Sequence, residues 1–170
     1  FESARKQASS QEESNLISLI AAACTEKGDF ESALEHINNA IDRTGADNFK
    51  FQKATIYMKM EQHGEAIDLF NDLLDDNPNH EEILLNRAES HMVLKQYAEA
   101  KEDFSTLQSF APNDPRSYYR LAQIAEAQNQ TGEELKNYTL FLEYVDPESV
   151  PAEELQRVQT RVKQLQGNTP

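Results

Sequence analysis

Side chains that could do chemistry are few and lie far apart in the sequence. The four histidines, His36, His63, His80 and His91, share no metal-ligand spacing such as H-E-x-x-H, so surface or packing roles are expected. Cys24 is the only cysteine, which excludes an internal disulfide framework and a cysteine-rich metal site. We therefore predict no catalytic residue, no cofactor site and no metal site, and a protein that is not an enzyme.

The charge of the chain narrows the class of partner. The formal net charge is -14 over 170 residues, and the acidic residues are spread along the chain instead of forming a tail. Such a field repels phosphate backbones, which argues against nucleic acid. Two readings stay open: the acidity serves solubility, or it attracts a partner with basic flanks.

One apolar stretch, residues 16–24, ends at Cys24 and superficially resembles a lipoprotein signal. It is shorter than the ~18 residues that a membrane helix needs. Glu12 and Glu13 precede it in place of a basic flank, so it reads as a core helix. We expect no direct membrane insertion, and a soluble, cytoplasmic protein is favoured. Because the chain starts at Phe1 without Met, an upstream signal or anchor stays open.

The elements that would position any site repeat along the chain. Four segments align, residues 14–46, 47–80, 81–114 and 115–148, each with two amphipathic helices, the first and the second helix of the segment. A small residue recurs in each first helix and another in each second helix, at spacings of 33, 34 and 34 residues. Facing small residues let paired helices approach closely. The two columns are Ala21, Ala54, Ala88 and Ala122, then Ala33, Ala66, Ala100 and Glu134.

Bulky residues follow the second small column at helical spacing. Four positions later stand Ile37, Phe70, Phe104 and Tyr138, and apolar residues recur three positions after those. Because Glu134 replaces the small residue of the fourth segment, we expect that helix pair to sit further apart and to be the weakest place in the stack.

This pattern resembles the tetratricopeptide repeat family. The resemblance rests on Gly28-Asp-Phe-Glu-Ser-Ala33 and on Lys95-Gln-Tyr-Ala-Glu-Ala100, with Phe104 and Pro112 after the second, and it covers about residues 14–148. It implies an all-α, right-handed α-solenoid of about four helix pairs with a C-terminal capping helix. Residues 1–13 then form an arm or extend the first helix, and residues 149–170 hold the capping helix and a tail.

The resemblance also implies a binding groove lined by the first helices. Five positions per first helix usually line it, which in the first two repeats are Asn15, Ser18, Ala22, Thr25, Glu26, Asn48, Phe51, Thr55, Met58 and Lys59. The later repeats contribute Glu82, Leu85, Glu89, Met92, Val93, Arg116, Tyr119, Gln123, Glu126 and Ala127. From these we select a peptide-binding set: Phe51, Thr55, Met58, Leu85, Glu89, Met92, Tyr119 and Gln123.

One subclass of the family clamps the acidic C-terminus of heat-shock chaperones with Lys, Asn and Arg. The corresponding positions here are Ser18, Ala22, Thr55, Leu85 and Glu89, which cannot hold a carboxylate, so that activity is not expected. The groove set has an apolar centre, which favours a protein or peptide partner with apolar anchors and basic flanks.

Three alternatives stay open. The chain could fill its own groove with residues 1–13 or a neighbouring segment. It could be a self-assembly module, forming a homodimer through Leu155, Val158 and Val162 of the capping helix. It could also be an accessory domain of a larger enzyme or secretion complex, because fold alone does not fix function.

Overall fold

In the computed structural model, residues 2–167 are described, with their side chains from residue 11 onward, and they form nine α-helices and no strand. The first helices are α1 (Glu2–Glu26), α3 (Asp47–Lys59), α5 (Glu81–Val93) and α7 (Pro115–Ala127). The second helices are α2 (Phe30–Thr44), α4 (His63–Asp76), α6 (Tyr97–Phe110) and α8 (Thr131–Tyr144). The last helix is α9 (Ala152–Gly167), and residues 2–13 lie within α1.

The helices group into two units, with the division between Leu94 and Lys95. In the first unit α1 packs on α2, α2 on α3, α3 on α4 and α4 on α5, and α3 also contacts both α1 and α5. In the second unit α6 packs on α7, α7 on α8 and α8 on α9. No helix within residues 2–167 is long and apolar enough to cross a membrane.

Both predicted columns of small residues are buried. The six alanines from Ala33 to Ala122 that form them are at most 1% exposed, and Ala21 is 2% exposed. With no side chain beyond Cβ, the alanines of these columns let α1 pack closely on α2, α3 on α4 and α7 on α8. The bulky stripe is also buried, since Ile37, Phe70, Phe104 and Tyr138 are fully covered. The periodicity therefore identified the core of each second helix correctly.

The turn between first and second helix has the same backbone conformation in all four repeats. Gly28 has a φ of 78°, and Glu61, Lys95 and Asn129 have values between 57° and 61°. The four positions are 33 or 34 residues apart, so a left-handed residue follows each first helix at the same point of the repeat. Only the first repeat uses the residue type that adopts this conformation without a steric cost.

Side chains and prolines fix several helix ends. The Asp29 carboxylate accepts a hydrogen bond from the Ser32 backbone N–H at 3.2 Å at the start of α2. Asp114 does the same for the Arg116 N–H at 3.0 Å, and Pro115 occupies the first turn of α7. Helices α4, α6 and α8 end just before Pro-containing turns.

Candidate functional site

Two cavities open on the first unit where the first helices lie side by side. The α1–α3 cavity has a volume of about 340 Å³. The α3–α5 cavity has a volume of about 450 Å³. Gln52 of α3 contributes to the lining of both, so the two cavities are neighbours on one face, which we call the first-helix face.

Small side chains open the α1–α3 cavity. On α1, Ala22 and Thr25 stand one turn apart, and Thr55 faces them from α3, so none of them fills the space between the helices. The Thr55 hydroxyl donates to the Gln52 backbone carbonyl at 2.8 Å, which leaves its methyl group as the surface for a ligand. The full lining is Ser18, Ala21, Ala22, Thr25, Glu26, Gln52, Thr55, Ile56 and Lys59.

Polar pairs bound this cavity. The Gln52 side-chain amide donates to the Ser18 hydroxyl at 2.8 Å. Lys59 Nζ pairs with Glu26 Oε1 at 2.5 Å. The hydrogen bond from Lys59, and then its charge, lower the pKa of Glu26. The lysine cation is thus already neutralised by a residue of this chain, and the cavity between the polar pairs is suited to an apolar group.

The α3–α5 cavity has an apolar floor. Leu73 and Ile83 are each 4% exposed and belong to the core, while Phe51 is half-buried beside them. The Phe51 ring is tilted against the Phe70 ring, with 5.9 Å between their centroids. The aromatic ring is therefore held in place by the core while part of it remains accessible.

Carboxylates surround that floor. Asp47, Asp76 and Glu82 line the cavity, together with Asn48, Asn77 and His80. Lys50 Nζ pairs with Asp47 at 3.0 Å. That hydrogen bond raises the pKa of Lys50 most, followed by the charge of Asp47, with Asp76 and Asp72 adding weaker effects of the same sign. The rim thus carries three carboxylates, one of which has a lysine partner.

Two residues of the predicted peptide-binding set line these cavities. Phe51 lines the α3–α5 cavity and Thr55 lines the α1–α3 cavity. Met58 packs against the core formed by α3, α4 and α5. The other predicted residues of this unit are half-buried on α5 and line neither cavity: Leu85, Glu89 and Met92.

The two residues of the peptide-binding set in the second unit are bound by neighbouring side chains of that unit. The Tyr119 ring is tilted against the Phe141 ring, with 5.1 Å between their centroids, and its hydroxyl accepts a hydrogen bond from Arg157 of α9 at 2.8 Å. Burial raises the pKa of Tyr119. Gln123 accepts a hydrogen bond from Arg120 at 3.0 Å. Helix α9 therefore shares the surface that the resemblance assigned to a ligand.

The prediction that the fourth helix pair sits further apart is wrong. Glu134 was expected to hold α7 and α8 apart, yet it is 1% exposed and its carboxylate receives both Nε (2.5 Å) and Nη2 (3.0 Å) of Arg161. Ala122 and Tyr138 are fully buried at the same interface. The pair packs closely because a cation from α9 balances the buried carboxylate.

The predicted route to a homodimer is also corrected. Val158 is fully buried and Val162 is 8% exposed, and both pack with Tyr138 and Phe141 in the core of the second unit. Leu155 packs against the same cluster. The apolar stripe of α9 is therefore used within the chain and does not offer a surface for a second copy.

Gln52 is one of the cavity residues that sequence reasoning missed. It lies next to the predicted Phe51, and helical geometry turns it towards α1, where it bonds Ser18 across 34 residues of sequence. The signal was present in the period itself, because residues one repeat apart face each other on adjacent first helices. Ser18 and Gln52 are 34 residues apart in the sequence, and Glu26 and Lys59 are 33 residues apart.

Comparison with known proteins agrees with this architecture. Residues 57–124 match the tetratricopeptide repeat family model. A curated relative, the DnaJ protein P58IPK homolog B of Oryza sativa subsp. japonica, is 26% identical over an alignment of 121 positions, and the match covers 66% of this chain. The chain spans 26% of the length of that relative.

Solved structures show the same fold. A tetratricopeptide repeat protein from Parabacteroides merdae ATCC 43184 superposes with a TM-score of 0.73 at 18% identity, over 90% of this chain and 59% of that chain. MamA from Desulfovibrio magneticus RS-1 gives a TM-score of 0.70 at 18% identity, over 90% of this chain and 93% of that chain. The first such domain of Spaghetti (RPAP3), bound to the HSP90 peptide SRMEEVD, gives a TM-score of 0.57 at 24% identity, over 69% of this chain and 93% of that chain.

These likenesses confirm the prediction of an all-α helical repeat solenoid. The buried alanine columns and the repeated left-handed turn show the same repeat in the chain itself. The chain therefore has the fold of tetratricopeptide repeat proteins, and its residues 57–124 match the model of that family.

Proposed function

We propose that the chain binds an extended or helical segment of another protein along the first-helix face of α1, α3 and α5. The tetratricopeptide repeat fold is that of protein–protein interaction scaffolds, which supports a binding role in general. The observation that carries the proposal is the α1–α3 cavity, because it lies on that face and is lined by short side chains. A concave, mostly apolar cavity is the usual form of a recognition site.

The chemistry of the α1–α3 cavity favours an apolar anchor. Alanine and threonine methyl groups provide its surface, and the Lys59–Glu26 pair leaves no free cation there. Burying an apolar side chain contributes about 1.5–3 kcal/mol. The partner segment therefore places a branched or aromatic apolar side chain in this cavity.

An acidic tail does not fit this face. The RPAP3 domain binds the peptide SRMEEVD. Here Ser18, Ala22, Thr55 and Leu85 offer no positive charge, and Glu89 adds a negative one. We expect no binding of SRMEEVD to this chain by isothermal titration calorimetry. Saturable binding at micromolar concentration would contradict the assignment of an apolar anchor.

Two neighbouring alanines provide a matched test. Ala22 and Ala23 are both exposed on α1, but only Ala22 lines the α1–α3 cavity. Ala22→Trp fills the cavity, whereas Ala23→Trp adds the same side chain beside it. In a crosslinking pull-down, with circular dichroism to verify folding, we expect the wild type and Ala23→Trp to capture the same protein and Ala22→Trp to lose it. Equal capture by both variants would exclude this cavity.

A further inference from the structure

The α3–α5 cavity differs in chemistry from its neighbour. Its floor is formed by Phe51, Leu73 and Ile83, so an aliphatic chain can lie on it. Its rim carries the carboxylates of Asp47, Asp76 and Glu82. The α1–α3 cavity, in contrast, has Glu26 as its only carboxylate, and that residue is paired with Lys59. An apolar floor below a negative rim is complementary to a long side chain with a cationic end.

The chain's own cations leave part of this rim available. Lys50 forms its ion pair with Asp47. Asp76 acts on Lys50 only as a more distant charge. Arg87 of α5 donates a hydrogen bond to the Asn71 side chain at 2.7 Å. Asp76 and Glu82 are therefore the rim carboxylates that can receive a cation from outside.

We propose that the α3–α5 cavity receives an Arg or Lys side chain of the partner segment, an inference that rests on the first-helix face being the binding face. The aliphatic stem lies on Phe51 and Ile83, and the cationic head reaches Asp76 and Glu82. A cation close to the Phe51 ring gains a further attraction from its π face. Hydrogen bonds to charged groups are stronger than neutral ones, so this pair fixes which segment binds.

The occupant is thus defined by charge complementarity as well as by shape. A carboxylate in this cavity would face three like charges, and an uncharged apolar side chain would leave the rim carboxylates desolvated without a partner. A basic side chain is complementary to both, because its aliphatic stem packs on the apolar floor and its cationic head pairs with the rim carboxylates. The partner segment then carries an apolar residue for the α1–α3 cavity and a basic residue for the α3–α5 cavity.

A random short-peptide library displayed on phage tests this inference with the full chain. Binders are selected on the wild type, and their affinities are then measured by fluorescence polarisation. We expect every selected family to contain Lys or Arg, and replacement of that residue by norleucine to weaken binding about threefold to tenfold. Asp76→Asn/Glu82→Gln should cause a similar loss. Glu65→Gln/Asp68→Asn is the matched control, since it removes the same charge from exposed positions of α4 that line neither cavity.

The outcomes separate the two proposals. If the binders show no basic residue and Asp76→Asn/Glu82→Gln binds them as well as the wild type, the inference about the α3–α5 cavity is wrong. The first-helix face still holds in that case, provided that Ala22→Trp loses binding and Ala23→Trp retains it. If no peptide distinguishes the wild type from Ala22→Trp, the proposed function fails as well.

Discussion

At the scale of single residues, the left-handed turn position gives a direct test of the repeat. Gly28 has a φ of 78°, while Gly64 lies in α4 without a positive φ, and a Cβ added at either would meet no atom within 4 Å. Any difference between their alanine variants therefore comes from the backbone. We expect Gly28→Ala to lower the free energy of unfolding by about 1–2 kcal/mol. Gly64→Ala should be neutral or stabilising by up to about 1 kcal/mol. Urea denaturation followed by circular dichroism measures both, and equal effects would contradict the turn assignment.

Tyr138 gives a second residue-scale prediction, which concerns pH. Burial, together with the charge of Glu126, raises the pKa of Tyr138 to about 12, and its hydroxyl donates to Glu126 at 3.2 Å. Because the folded pKa lies above the unfolded value of 10.0, this group stabilises the fold fully below pH 10 and loses that effect as the pH rises towards 12.

Comparison with Tyr138→Phe isolates this contribution. We expect the wild type to lose more stability than the variant between pH 10 and 12, because its phenol ionises there in the unfolded chain but stays protonated in the folded one. Thermal denaturation at several alkaline pH values measures the difference. Parallel curves for the two proteins would show that Tyr138 titrates normally in the folded state.

At the scale of elements, α9 supplies the partner for a buried charge on α8. Removing Arg161 leaves the Glu134 carboxylate buried and alone, which we expect to cost about 3–5 kcal/mol in Arg161→Met. Glu134→Ala restores the small residue of the other repeats and leaves Arg161 able to reach solvent, since its side chain is 36% exposed. We expect it to cost less, and the double variant to resemble Glu134→Ala.

A double-mutant cycle by chemical denaturation gives the coupling between the two helices. Lys163→Met, which removes an exposed cation from the same helix, is the control and should change stability by less than about 0.5 kcal/mol. If Arg161→Met costs no more than Lys163→Met, the pair does not hold α9 on α8. In that case the valines of α9 alone account for the packing.

At the scale of the whole molecule, the fold could be predicted because its packing repeats with the sequence. Each helix pair is built from neighbouring segments, so the alanine columns and the aromatic stripe showed which residues are buried. Glu134 was misjudged for the same reason. Its partner, Arg161, stands 27 residues later in a helix outside the repeat, and no column of the alignment contains that pair.

The candidate site was less predictable than the fold. The family positions placed Phe51 and Thr55 on the first-helix face, but they do not show where short side chains leave a space. The α1–α3 cavity depends on Ala22, Thr25 and Thr55 being short at the same height of two helices. Tyr119 illustrates the opposite case, because Arg157 of α9 bonds it from beyond the repeats. Both outcomes depend on contacts between elements, which a residue's type does not reveal.

The net charge of -14 attracts any basic partner at a distance, whereas we propose that the α3–α5 rim binds a basic side chain in direct contact. These effects separate in the kinetics of a selected basic peptide. Long-range attraction raises the association rate and is screened by salt, whereas a direct charge pair slows dissociation. We expect Asp76→Asn/Glu82→Gln and Glu65→Gln/Asp68→Asn to slow association to a similar extent. Only the former should speed dissociation, by about threefold to tenfold. Surface plasmon resonance at several salt concentrations measures both rates. Faster dissociation from both variants would mean that the peptide senses the acidic surface as a whole, and that the α3–α5 cavity does not hold its basic side chain.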